Sequence, residues 1–201
     1  MFSKIALLTI AAMISGCAAV GTTVAEKGSL TRLKGQTVAL NVEKPVSFIL
    51  STPETNRTYL RAVVMAREGD ALVETNGVGD PASAIAAGVG QKLGQAYGVT
   101  LAPAATAAFS INVQTTNWGL FLTGGDKNKY GVLYMATFQL VDVKKGSVIA
   151  SGNCKPDEGA GPLVVAEKEQ FMSLSAQGLK NALGQSVVSC VQHISNQILA
   201  I

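Results

Sequence analysis

Few side chains in this chain could do chemistry, and their spacing assembles no catalytic set. Nucleophilic catalysis needs a nucleophile, a base and an orienting group held together. The 201 residues contain one histidine, His193. At helical spacing it falls between the apolar positions Val191 and Ile194, a surface or boundary position. Its neighbours Ser189 and Ser195 are ordinary helix residues. Asp157 and Glu158 are adjacent acids in a Gly-rich loop, DEGAGP, where carboxylates are usually solvated. Gly88 to Gly94 reads GxGxxxG, but a dinucleotide fingerprint needs a strand directly before it. Here a helix beginning at Pro81 has already run two turns. No H-E-x-x-H, P-loop or calcium loop occurs. The expectation is a protein that is not an enzyme and that carries no cofactor.

The remaining reactive groups are three thiols, Cys17, Cys154 and Cys190. Cys17 closes the stretch MFSKIALLTIAAMISGC. Lys4 gives a positive start, and Ile5 to Ile14 is an apolar run of ten residues. That is signal-peptide length, against the ~20 residues that a membrane span needs. Ile14-Ser15-Gly16-Cys17 resembles the bacterial lipobox. The resemblance implies a diacylglyceryl thioether on Cys17, cleavage of the Gly16–Cys17 bond and acylation of the new α-amine, palmitate being a typical chain. One acyl chain binds a membrane only marginally, at ~0.8 kcal/mol per buried CH₂, whereas two or three hold durably. The next residue is Ala18 rather than Asp. By resemblance to enterobacterial sorting this implies the outer membrane, with the domain on its periplasmic face.

With Cys17 lipidated, Cys154 and Cys190 form an even pair in an oxidising compartment, which reads as a disulfide. Two buried free thiols are the alternative. A metal site has little support, because the two cysteines and His193 lack paired ligand spacing.

Removing residues 1–16 from 201 leaves 185, enough for one domain with its own core. The formal charge of +3 includes Lys4, so the mature chain is near +2, and no basic block stands out. A nucleic-acid partner is not expected. The expected organisation is a signal peptide 1–16, a lipidated N-terminus and tether 17–36, and a single domain 37–201.

Val38, Leu40 and Val42 alternate as a first strand. Ser51-Thr52-Pro53-Glu54 reads as a helix start, with Leu60, Val63 and Val64 following at helical spacing. Asp80-Pro81 reads as a second start. Ile85, Val89, Leu93 and Tyr97 form its stripe, and Gly98 is placed to stop it. Its many Ala and Gly residues call for close packing, since each Gly costs ~1 kcal/mol against Ala in a helix interior. From Phe109 the period is two. Phe109, Ile111 and Val113 begin one strand, Tyr130 to Leu140 give a long second, and Ser147 to Ser151 a third. Those three form an antiparallel meander. A long helix from about Val165 carries Leu179, Leu183, Val187, Val191, Ile194 and Ile198, with Cys190 facing inward.

The expected fold is therefore α+β: a two-layer sandwich with a mostly antiparallel sheet of about four strands and helices on one face. The stretches DPASAIA, TTNWGL and YMATFQLVDVKKGSVIASGNC, followed by a cysteine-bearing helix, resemble small uncharacterised proteobacterial lipoproteins. In layout alone the chain resembles auxiliary outer-membrane lipoproteins of transport systems. No catalytic residue comes with either resemblance. The functional expectation is an adaptor or assembly factor that binds another envelope protein. Trp118 and Phe121, in the one distinctive aromatic cluster, are the candidate partner-binding residues, with a core position for Trp118 as the competing reading. The alternative function is a carrier of a lipid or small apolar ligand. An apolar-walled cavity would favour the carrier, and an exposed patch around Trp118 the adaptor.

Overall fold

The structure is a computed structural model describing residues 21–54, 60–123, 128–156 and 159–201. Residues 1–16, expected to be a signal peptide, and Cys17 to Val20 lie outside the described residues, as do residues 124–127 of the expected turn and Asp157 and Glu158.

The centre of the fold is a hairpin of two long strands, β4 (Phe109–Leu122) and β5 (Lys129–Asp142). The inward residues of β5 (Tyr130, Val132, Tyr134, Ala136, Phe138 and Leu140) are all buried. Burying a side chain such as Phe138 or Leu140 contributes ~1.5–3 kcal/mol, so this face fixes the strand's register. In β4 the same face begins with Phe109, Ile111, Val113 and Thr115. A bulge between Thr115 and Asn117 then shifts the parity. Beyond it Trp118 and Leu120 point inward, while Asn117, Gly119 and Phe121 pair with Met135, Leu133 and Gly131 on the opposite face.

Shorter strands flank the two halves of the hairpin. β1 (Thr37–Val42) runs parallel to the first half of β4, and β3 (Thr100–Leu101) runs parallel to β1. β2 (Ile49–Leu50) runs parallel to the far half of β4. On the other side β6 (Ser147–Cys154) and β7 (Val164–Glu167) pair antiparallel with successive halves of β5. The sheet is thus mixed and seven-stranded, with order β3-β1-β4-β5-β6 along its main path. The α+β class holds, and so does the meander β4-β5-β6. A mostly antiparallel sheet of about four strands is incorrect: β1, β2 and β3 all pair in parallel, and β2, β3 and β7 are too short to show a period.

Helices cover the inward face. A short α1 (Lys27–Leu30) precedes β1. α2 (Arg61–Asn76) lies over β2, with Gly69 against the Phe48 carbonyl, where a side chain would collide. Asp70 Oδ1 accepts from Phe48 N at 2.9 Å beside that contact. The helix expected from Ser51 starts only at Arg61. Ser51 and Thr52 are buried, and Ser51 N donates to the Leu120 carbonyl, continuing the strand pairing. α3 (Ala82–Tyr97) follows Asp80-Pro81 as expected and stops at Gly98 in a left-handed conformation. Ile85, Val89 and Leu93 are buried, and Gly88 sits against Val191 of the last helix.

α4 (Lys168–His193) begins with a capping box between Glu167 and Gln170 and is broken at Ser173–Ala176. There Leu174, Ser175 and Ala176 have φ of 49°, 56° and 61°. Gly178 lets the second segment close onto Gln170 and Phe171. After His193 the chain continues through a π-helical turn, Ile194–Ile198. Among the described residues no helix is long and apolar enough to cross a membrane.

The stretch read as a tether packs on the domain from Gly21 onward. Thr23 exchanges two backbone hydrogen bonds with Ser151 of β6, at 2.8 and 3.0 Å. Leu30 and Leu33 are buried, and Arg32 pairs with the mostly buried Asp142 at 2.9 Å. Only Ala18 to Val20 separate the proposed anchor, Cys17, from this docked segment.

Candidate functional site

Opposite the helices, the sheet face is uncovered. Near β1 it is polar, presenting Asn112, Gln114, Thr137 and Gln139 around a shallow depression. Towards the hairpin tip it becomes apolar. Two cross-strand pairs alternate there: Gly119 with Leu133, and Phe121 with Gly131. The Phe121 ring leans over Gly119, and the Leu163 side chain leans over Gly131, so that a methyl group at either glycine would clash. The result is a hollow of about 380 Å³ floored by glycine and walled by Phe121, Leu122, Leu133 and Leu163, with Thr123 at its rim. Leu163 is 43% exposed, and Val165, on the same face, 46%.

The bulge at Thr115/Asn117 creates this hollow. Without the parity shift Trp118 would face outward and Phe121 inward. Instead Trp118 is 3% exposed, its Nε1 donates to the Val46 carbonyl at 2.8 Å, and Phe48 meets it edge to face with centroids 5.0 Å apart. The assignment of Trp118 to partner binding is therefore corrected: the indole is a core group that fastens the segment before β2. Phe121 stays on the open face, half-buried. Sequence reasoning places Leu133, with Met135 and Val141, on the second apolar face of the Tyr130 strand, which could line a cavity; it missed Leu163 and the glycine floor, because their proximity depends on register and on the bulge.

Cys154 and Cys190 are joined as a disulfide, with Cα atoms 5.7 Å apart and both residues buried. The bond ties the end of β6 to α4. Cys17 lies outside the described residues.

A hydrogen-bonded polar cluster reaches into the core. Asp80 Oδ1 accepts from the Ala82 backbone at 3.2 Å and from the Thr115 hydroxyl, which also lies 3.1 Å from the Tyr134 hydroxyl. Burial pushes the Tyr134 phenol well above its ordinary value; the Thr115 hydrogen bond opposes this, and the Asp80 charge adds to it. The cluster pins the start of α3 to the bulge residue of β4. His193 is half-buried with its ring against Gly159. Among the described residues no three His, Cys, Asp or Glu side chains group as a metal site. The GxGxxxG run lies inside α3, with Gly88 on α4 and Gly90 facing Leu40 and Ile111, as a packing surface.

No protein-family model matches the chain, and no curated protein matches it. Among solved structures it is similar to PelC from Paraburkholderia phytofirmans, described as a dodecamer, at 18% identity and TM-score 0.37. That match covers 88% of this chain and 97% of the other. A minor lipoprotein from Acinetobacter baumannii matches at 13% identity and TM-score 0.41, covering 83% and 92%. Lipoprotein GNA1162 from Neisseria meningitidis matches at 16% and TM-score 0.29, covering 81% and 99%. With TM-scores this low, the functional reading rests on the chain's own residues.

Proposed function

We propose that this is a non-enzymatic lipoprotein of the bacterial envelope, anchored through acyl chains on Cys17, in which the open sheet face docks another envelope protein. The observation that carries the docking reading is the hollow between Phe121, Leu133 and Leu163. It offers a partner an apolar pocket beside a polar sheet surface, the pattern of an interface anchor with a hydrogen-bonding rim. The anchor reading rests on Ile14-Ser15-Gly16-Cys17, and the outer membrane on Ala18.

Carriage of a lipid or small apolar ligand is the second reading. The walls of the hollow favour it, being apolar apart from Thr123. Its openness counts against it, since ligand pockets usually enclose most of their ligand. Replacing Leu133 by Arg tests the site. The adaptor reading expects loss of the partner with the fold and anchoring unchanged. Cys17→Ser tests the anchor and should leave an uncleaved, non-acylated precursor; normal processing of that variant would refute the assignment.

A further inference from the structure

The hairpin tip marks one end of the domain, and Leu60, Val63 and Leu174 stand exposed there in addition to Leu163 and Val165. β2 runs parallel to β4, and the chain after it continues to the end where β4 stops; α2 starts back from that end. Leu60 and Val63, one turn apart at the start of α2, are 67% and 65% exposed. The first segment of α4 reaches the same end. Glu167, which caps it, pairs with Lys129 at the start of β5, and burial first, then the Glu54 and Glu169 charges, raise the Tyr130 phenol beside it. Leu174 follows in the break of α4 and is 86% exposed, held outward by three successive left-handed residues.

We propose that this end of the domain rests on the bilayer, with Leu60, Val63 and Leu174 in its interfacial layer. The inference rests on the lipid anchor proposed for Cys17 and adds the orientation that the anchor imposes. The segment from Gly21 lies antiparallel to β6, with Ser151 Oγ donating to the Gly21 carbonyl. At Gly21 the described segment therefore points past the Cys154 end of β6, towards the hairpin tip. Four residues, Cys17 to Val20, remain before it. Fully extended, they span at most ~14 Å. Opposite Gly21, β6 has reached Asn153, which pairs with Thr137, eight residues from the start of β5 at Lys129. At ~3.4 Å per residue the tip lies roughly 25 Å further on. A linker of ~14 Å cannot lift that end clear of the membrane. The difference of roughly 11 Å is closed by tilt of the strands together with entry of the tip into the interface by about the 5–10 Å typical of apolar side chains at a membrane surface. The opposite end, with Leu101 and Val143, points away.

Arg61, Lys129 and Lys168 are balanced by Glu54, Glu167 and Glu169 among the described residues at this end.

The test uses the full lipidated protein in vesicles of phosphatidylethanolamine and phosphatidylglycerol. Single nitroxide labels are placed through Leu60→Cys, Leu174→Cys, Leu101→Cys or Val143→Cys, with the Cys154–Cys190 bond kept oxidised. Accessibility to oxygen and to a water-soluble nickel complex reports depth. The proposal expects labels at 60 and 174 to be several-fold more oxygen-accessible relative to nickel than those at 101 and 143. Vesicle-bound protein with an acylated N-terminal peptide and water-like labels at all four positions would overturn the seating alone. Protein that does not float with vesicles and has an unmodified Cys17 thiol would overturn the anchor and the seating together.

Discussion

Trp118 donates its indole N–H to the Val46 carbonyl at 2.8 Å, and this bond closes the connection between β1 and β2 over the core. The aromatic contact with Phe48 lies directly beneath it. Trp118→Phe keeps most of the apolar volume but removes the donor from this part-buried hydrogen bond, a loss of ~0.5–1.5 kcal/mol. Denaturant unfolding should show a lowered midpoint at unchanged slope. Partner capture by the folded variant should equal that of the wild type. A variant with normal stability and lost capture would return Trp118 to the surface.

The Cys154–Cys190 bond links residues 36 apart. The chain-entropy account gives about 3–4 kcal/mol for a loop of that size. Reduction should lower the melting temperature, and Cys154→Ala with Cys190→Ala should reproduce the effect. An unchanged melting curve, with free thiols present before reductant, would reject the bond.

Tyr134 gives the fold an alkaline limit. Its phenol is raised in the folded state, by burial first. The native protein thus holds this proton more tightly than the unfolded chain, whose phenol titrates near ~10. The stability contributed by the protonated group is complete below pH ~10 and is lost as pH rises above it. Stability measured from pH ~9 to ~12 should fall more steeply for the wild type than for Tyr134→Phe. Parallel curves would show that the phenol does not report on folding.

Much of this architecture is legible in the chain because its signals are local. Phe109, Ile111 and Val113 alternate, Asp80-Pro81 and Gly98 punctuate α3, and Cys190 falls on the stripe with Leu183 and Ile194. Other features depend on distant partners. Ile49–Leu50 and Thr100–Leu101 are strands only because β4 and β1 lie beside them. Val164–Glu167 merges by composition with the helix that follows, and only its pairing with Lys129–Val132 makes it a strand. Ser51-Thr52-Pro53-Glu54 has the chemistry of a helix start, yet pairing with Leu120 keeps its beginning extended. Leu30 and Leu33 dock a segment whose small, polar composition reads as a tether. The candidate site was half visible: Phe121 stood out as an aromatic, while Leu133 and Leu163 became its neighbours through one bulged residue.

The most direct test of the adaptor reading is site-specific photo-crosslinking of the lipidated protein in its native membrane, from Leu133 and, as a control, from the exposed Lys92 on α3. The account predicts one protein adduct of fixed mass from position 133, near stoichiometric and absent from position 92. It should disappear when Phe121→Arg accompanies the probe, while Cys17 stays acylated. Adducts from position 133 to lipid or a small molecule alone, unaffected by that substitution, would contradict it.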